Sequence, residues 1–199
     1  MIRILVADDH AMVREALATL LNLEKDLTVV GQVGTGSEVP AAVGDLDPDV
    51  VILDIEMPGK NGIDVARELR DSRVAVLIVT TFGRPGYLQR AMEAGAVGFL
   101  VKDAPATELA DAVRKAARGE RTVDPALAME SFAVGANPLT TREADVLRAA
   151  SGGGTVADIA RELHMGQGTC RNHLSAAMTK MRARTRAEAA RKVEEAGWL

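Results

Sequence analysis

The residues best suited to chemistry are carboxylates that directly follow apolar runs. Asp8 and Asp9 come straight after residues 2–7, and Asp54 comes straight after residues 50–53. Two later apolar runs end on a pair of hydroxyls, Thr80 and Thr81, and on a cation, Lys102. Three carboxylates brought together repel one another, and each costs the others free energy unless a cation neutralises them. Oxygen donors without Cys or His suit a hard ion such as Mg2+. A carboxylate oxygen can also attack phosphorus to give an acyl phosphate. A lysine ammonium and a threonine hydroxyl would then balance and bind the phosphoryl oxygens. His10 and His164 suggest no metal constellation.

Whether these groups meet depends on the elements that carry them. Residues 2–7, 27–33, 50–53, 74–79 and 97–101 read as five strands, short and rich in Val and Ile. Continuous apolar runs of this kind belong to strands buried on both faces. Helical stretches lie between and after them, near 11–22, 37–45, 62–70, 86–94 and 106–118. Five such βα units imply a parallel sheet covered by helices on both sides, the doubly wound, flavodoxin-like α/β class. Sheets of this class bind ligands at the carboxyl ends of their strands. Taken singly, each residue has a plainer explanation as a strand-end turn or a surface charge. Jointly, four strand ends supply a cation site, a nucleophile, a hydroxyl and an ammonium.

The pattern changes near residues 119–138, where Gly119, Pro125, Gly135 and Pro138 interrupt any period. This stretch reads as a linker over 121–137, with a short helix near 125–132. From Leu139 onward the signals are helical throughout. Thr140 and Glu143 have capping-box spacing. The first helix runs to about residue 150 and stops at Gly152-Gly153-Gly154. Thr155 caps a second helix to about 163, a turn follows at 164–168, and two more helices span about 169–181 and 186–195. On the third, Cys170, Leu174, Ala177, Met178 and Met181 form an apolar stripe. Arg171, Asn172 and Ser175 project from another face near its start. Arg pairs with guanine and Asn with adenine, whereas Ser discriminates poorly.

Charge agrees with a division of labour. Residues 1–120 hold 13 Lys and Arg against 19 Asp and Glu, while residues 138–199 hold 10 against 7, within a chain of net charge −4. A basic part on an acidic protein suggests that only that part meets a polyanion. Lys180, Arg182, Arg184 and Arg186 are candidate phosphate contacts. The single cysteine excludes an internal disulfide and a Cys-rich zinc site. No run is long enough to span a bilayer, and the start meets Asp8-Asp9 too soon for a signal peptide. The expectation is a cytoplasmic protein with no membrane contact.

Asp8-Asp9, Asp54 with Met57-Pro58-Gly59, Thr80 and Lys102 resemble the receiver domain of bacterial response regulators, over residues 1–120. Leu139-Thr140, Arg142-Glu143, Ile159-Ala160 and Gly168-Thr169 with Arg171-Asn172-His173-Leu174 resemble the LuxR-type helix-turn-helix, over 138–199. Together they are similar to the NarL/FixJ group, a receiver followed by a four-helix DNA-binding domain. The resemblance implies that Asp54 is the phosphoacceptor, not an enzyme's turnover nucleophile. It implies Asp9, Asp54 and the backbone carbonyl of Glu56 as metal ligands, with Asp8 acting nearby through water. Thr80 and Phe99 match the switch pair, and Lys102 the cation that balances phosphoryl charge. Phe82 would flank the phosphoryl group and hinder the hydrolytic water. Thr169, Arg171, Asn172, His173, Ser175, Lys180 and Arg182 fall where DNA contacts would lie.

The same resemblance implies a sensor histidine kinase, double-stranded promoter DNA and RNA polymerase as partners, and a homodimer formed on phosphorylation. Met12, Val13 and Leu17 on the first helix are available for a dimer face, as is the fifth helix. Cys170 stands where the family usually has Val, Gly166 where a Ser commonly caps, and Gly154 where an apolar residue is usual. Cys preserves small, buried packing, and the three glycines soften a connection. The stretches at 21–24, 54–60 and 80–87 resemble the DesR branch, regulators of membrane-lipid desaturation. Two rival readings differ in class. A Mg2+-dependent phosphohydrolase would need a second carboxylate as acid-base and a substrate pocket, and the sequence shows neither. A protein-interaction regulator without DNA binding would lack salt-sensitive affinity for DNA.

Overall fold

The structure is a computed structural model and describes residues 1–199. The chain forms two compact units: residues 1–83 with 88–129, and residues 130–199 with the short segment 84–87.

Along residues 1–134, strands alternate with helices: β1 (Ile2–Ala7), α1 (Ala11–Asn22), β2 (Leu27–Val33), α2 (Val39–Leu46), β3 (Val50–Leu53), α3 (Gly62–Glu68), β4 (Ala75–Thr80), α4 (Pro85–Glu93), β5 (Gly98–Val101), α5 (Ala106–Ala117), β6 (Thr122–Val123) and α6 (Pro125–Val134). All strand pairs are parallel, in the order β2-β1-β3-β4-β5-β6. Every residue of β3 is buried, which explains its unbroken Val-Val-Ile-Leu composition. Ile4, Val6, Ile52, Leu77, Val79 and Leu100 meet Leu109 and Val113 of α5 in one core. The strand order reverses between β1 and β3, and a ligand crevice opens outside the carboxyl ends of strands at such a point. Asp8 and Asp54 follow these two strands, and the Asp54 amide donates to Ala7 O at 2.9 Å.

One departure concerns the presumed linker. Residues 122–123 form a sixth strand paired with β5, anchored where the Thr122 amide donates to Val97 O at 3.0 Å. A two-residue strand has no hydrophobic period to betray it; the open edge of β5 recruits it. Behind it, Asp124 Oδ1 accepts from the amides of Ala126 and Leu127 and starts α6, the short helix expected there.

The second unit holds α7 (Thr141–Ser151), α8 (Val156–Glu162), α9 (Gln167–Lys180) and α10 (Arg186–Glu195). The capping box at Thr140 and Glu143 is formed, and Thr155 with Asp158 makes another. Val146, Leu147, Ile159, Leu174, Ala177, Ala189 and Val193 surround Cys170, which is fully buried. Burial pushes its thiol pKa up, so it behaves as a small apolar side chain. The α8 end turns sharply because His164 takes φ 50° while the Met165 amide donates to Ala160 O at 2.9 Å. This is a Schellman closure with a non-glycine residue in the left-handed position. Helix α9 begins two residues earlier than its apolar stripe suggests, with Gly166 as an N-cap that offers no side-chain bond.

Candidate functional site

The acidic pocket is assembled from loops after β1, β3, β4 and β5. Asp8 is 1% exposed and Asp54 4%, yet both are carboxylates. Burying two like charges is tolerable only with a counter-charge, and Lys102 supplies it. Its Nζ lies 2.7 Å from Asp8 Oδ2 and 2.8 Å from Asp54 Oδ2. Burial on its own lowers the pKa of the Lys102 ammonium, but hydrogen bonds to Asp54 and Asp8 outweigh this and hold it above its ordinary value. Lys102 is aimed by its own backbone, since its amide donates to Thr80 O at 2.8 Å.

Local bonds orient the other groups. Asp54 Oδ1 accepts from the Ile55 amide at 2.8 Å, and Asp8 Oδ1 accepts from the His10 amide at 3.0 Å. The turn after Asp54 is held by the Gly62 amide, which donates to Ile55 O at 2.9 Å. A Cβ on Gly62 would fall 2.0 Å from Asp54 O, so only glycine lets α3 start this close to the acceptor. Thr80 is buried, and its hydroxyl accepts from the Phe82 amide at 3.5 Å. A cleft of about 310 Å³ opens beside Asp54, lined by His10, Glu56, Thr80, Thr81 and Phe82. Phe99 is fully buried opposite Ile78 in the β4–β5 ladder.

Asp8 contacts Lys102 directly as well as standing in the acidic cluster. One expectation changes here. His10 was assigned to no metal constellation, yet its ring lies among the carboxylates of Asp8, Asp9 and Asp54, with one donor atom from each residue within 4.8 Å of the rest. The Asp9 contact is 2.7 Å, from Oδ1 to His10 Nδ1. The available signal was sequence adjacency, since His10 directly follows the two aspartates. The oxygen donors of this cluster fit a hard divalent cation.

In the second unit, Thr169, Arg171, Asn172 and Ser175 are exposed on α9, and His173 is partly buried. They occupy its first turns, opposite the stripe of Cys170, Leu174 and Ala177. Arg182 is exposed just beyond the helix end with φ 47°. Lys180 has a partner within the protein, because its Nζ lies 2.7 Å from Glu143 Oε2. Arg186 Nη1 likewise donates to Gly154 O at 2.7 Å. Burial raises the pKa of the Glu143 carboxyl, but bonds from Lys180 and Thr140 outweigh it and hold the group below its ordinary value.

A parallel doubly wound unit with this pocket, joined to a helix-turn-helix unit, defines a response regulator. The family models agree: the response regulator receiver domain matches residues 4–114, and the bacterial regulatory proteins of the luxR family match residues 137–193. The chain belongs to the LuxR-type response regulators, and it is a two-component transcription factor rather than an enzyme. It is similar to the transcriptional regulatory protein YvfU of Bacillus subtilis (strain 168), 47% identical over the whole of both chains. It is 46% identical to the transcriptional regulatory protein DesR of the same organism, again over the whole of both. Among solved structures it resembles the response regulator ChrA of a heme-sensing two-component system, with TM-score 0.59 and 33% identity across 100% of this chain and 98% of that one.

Proposed function

We propose that a sensor histidine kinase phosphorylates Asp54, and that the modified protein dimerises and binds promoter DNA sequence-specifically. The observation that carries this is the shared ammonium: Lys102 bonds both Asp8 and Asp54 beside an open cleft. In the reaction, an Asp54 carboxylate oxygen forms a bond to phosphorus as the phosphohistidine P–N bond breaks, and the imidazole leaves. Asp8, Asp9, Asp54 and the Glu56 backbone carbonyl would hold a divalent cation, Mg2+ or another. When bound, it supplies positive charge against the crowded carboxylates and the phosphoryl oxygens.

Phosphorylation brings about two negative charges to a buried position. Lys102 and Thr80 turn toward them, the β4–β5 face repacks, and Phe99 repacks with it. This is a local charge event biasing a two-state element. Residues 1–120 are assigned to reception, 121–137 to connection and 138–199 to DNA binding. Met12 is strongly exposed on α1 and remains available for a dimer face. On DNA, Arg171, Asn172 and Ser175 read base edges, while Thr169, His173, Arg182 and Lys180 contact the backbone. Lys180 reaches phosphate only by leaving Glu143. RNA polymerase is the downstream partner, and the cytoplasm is where kinase and promoter meet. No helix is long and apolar enough to cross a membrane. Similarity to DesR supports membrane-lipid desaturation genes as the regulon.

The test compares wild type with Asp54→Asn after incubation with a small phosphoryl donor and Mg2+. Wild type should gain a phosphoryl group, sediment as a dimer and bind operator DNA more tightly, and the variant should do none of these. Equal labelling of the two proteins removes Asp54 as acceptor. Mapping bound chromosomal sites tests the desaturation regulon.

A further inference from the structure

We infer that His10 is a further ligand of the cation pocket, beyond the three aspartates and the Glu56 carbonyl, giving it a nitrogen donor that favours borderline transition ions over Mg2+. The inference rests on the pocket being the cation site proposed above. It concerns a side chain on the rim, not the buried aspartates. His10 is the N-cap residue of α1 but makes no capping bond with its side chain. The ring turns instead toward the carboxylates, with Nδ1 2.7 Å from Asp9 Oδ1 and 3.8 Å from Asp8 Oδ1. It also lines the cleft beside Asp54, and its side chain is 70% exposed, so it is open to an ion from solvent.

Donor type decides the consequence. Mg2+ prefers oxygen and holds its waters, so it gains little from an imidazole. Co2+, Ni2+ and Zn2+ bind imidazole nitrogen well, and first-row affinities at a mixed nitrogen and oxygen site rise to Cu2+ and fall again at Zn2+. No other side chain at the cleft wall offers nitrogen: Glu56, Thr80 and Thr81 bring oxygen, and Phe82 brings none. Transition ions and Mg2+ would therefore compete for one pocket, with His10 setting the ratio.

The experiment titrates Co2+ and Mg2+ separately into the full-length protein, its His10→Ala variant and its Asp9→Asn variant. Binding is followed by calorimetry, and Co2+ also by its visible absorption, which reports nitrogen ligation. Folding of each variant is checked by circular dichroism; the exposure of His10 makes its loss tolerable to the fold. The expected result is that His10→Ala weakens Co2+ by roughly tenfold or more, the size of losses seen when a metal site is altered. Its Mg2+ affinity stays within about twofold of wild type, as expected for an oxygen-seeking ion. Unchanged Co2+ affinity and spectrum in His10→Ala overturn the inference, as does an equal loss for both ions. If Asp9→Asn changes neither ion, the pocket itself is not the cation site, and that is a different failure.

Discussion

Replacing Lys102 by Met removes the one cation that bonds two buried carboxylates. The ammonium sits 2.7 Å from Asp8 and 2.8 Å from Asp54. At an effective dielectric constant of about 20, each contact carries about 6 kcal/mol of Coulomb attraction before desolvation is counted. Desolvation offsets most of that, and severing one partner of a buried pair costs about 3–5 kcal/mol. Two features pull the figure down. The cleft admits water beside Asp54, and a stranded aspartate can take up a proton, which for an ordinary aspartyl group costs about 4 kcal/mol at pH 7. We therefore expect a loss of about 3 kcal/mol in chelator. For a unit of this size that lowers the melting midpoint by roughly 10 °C. Mg2+ should then stabilise the variant more than wild type, because its pocket carries one more unit of uncompensated negative charge. Thermal melts followed by circular dichroism, with chelator and with millimolar Mg2+, read both effects. Should Lys102→Met melt with wild type in chelator, or gain no more than wild type from Mg2+, the electrostatic account of the pocket is wrong.

Further outcomes follow from other contacts. Glu143→Gln should destabilise the second unit by about 0.5–1.5 kcal/mol, because it takes the charge partner from Lys180 while the amide oxygen can keep the capping bond from the Thr140 amide. The native Glu143 carboxyl is held below its ordinary pKa of 4.5, so its contribution is present above that value and lost as pH falls through the folded one. Melts of wild type and variant should accordingly converge in acid, and divergence there would contradict the assignment. Gly62→Ala forces a Cβ against Asp54 O and should cost about 1–3 kcal/mol by chemical denaturation, with slower phosphorylation. Arg171→Ala should relax preference at one base position by about 1–3 kcal/mol, whereas Arg182→Ala should weaken all sequences alike and flatten the salt dependence by about one unit. His164→Gly, at φ 50°, should raise stability by roughly 0.5–1 kcal/mol in the same denaturation assay.

Much of the architecture was legible because it is written in local patterns. Apolar runs gave β1, β2 and β3 their bounds, and Thr140, Thr155 and Gly152 marked helix ends by the bonds their backbones and side chains can make. β6 escaped because two residues carry no period. The start of α9 escaped because Gly166, Gln167 and Gly168 lack both a capping side chain and an apolar stripe. Lys180 read as a phosphate ligand, since its charge is visible in sequence but its bond to Glu143, 37 residues away, is not.

By itself the chain of residues determined which chemical groups stand at the strand ends, because parallel βα units deliver those ends to one edge of the sheet. Tertiary structure alone decided how the groups are shared. Lys102 serves Asp8 as well as Asp54, and His10 turns from its helix end toward Asp9. The physical reason is range: periodicity acts over a few residues, whereas charges pair with whatever the folded backbone brings within about 3 Å.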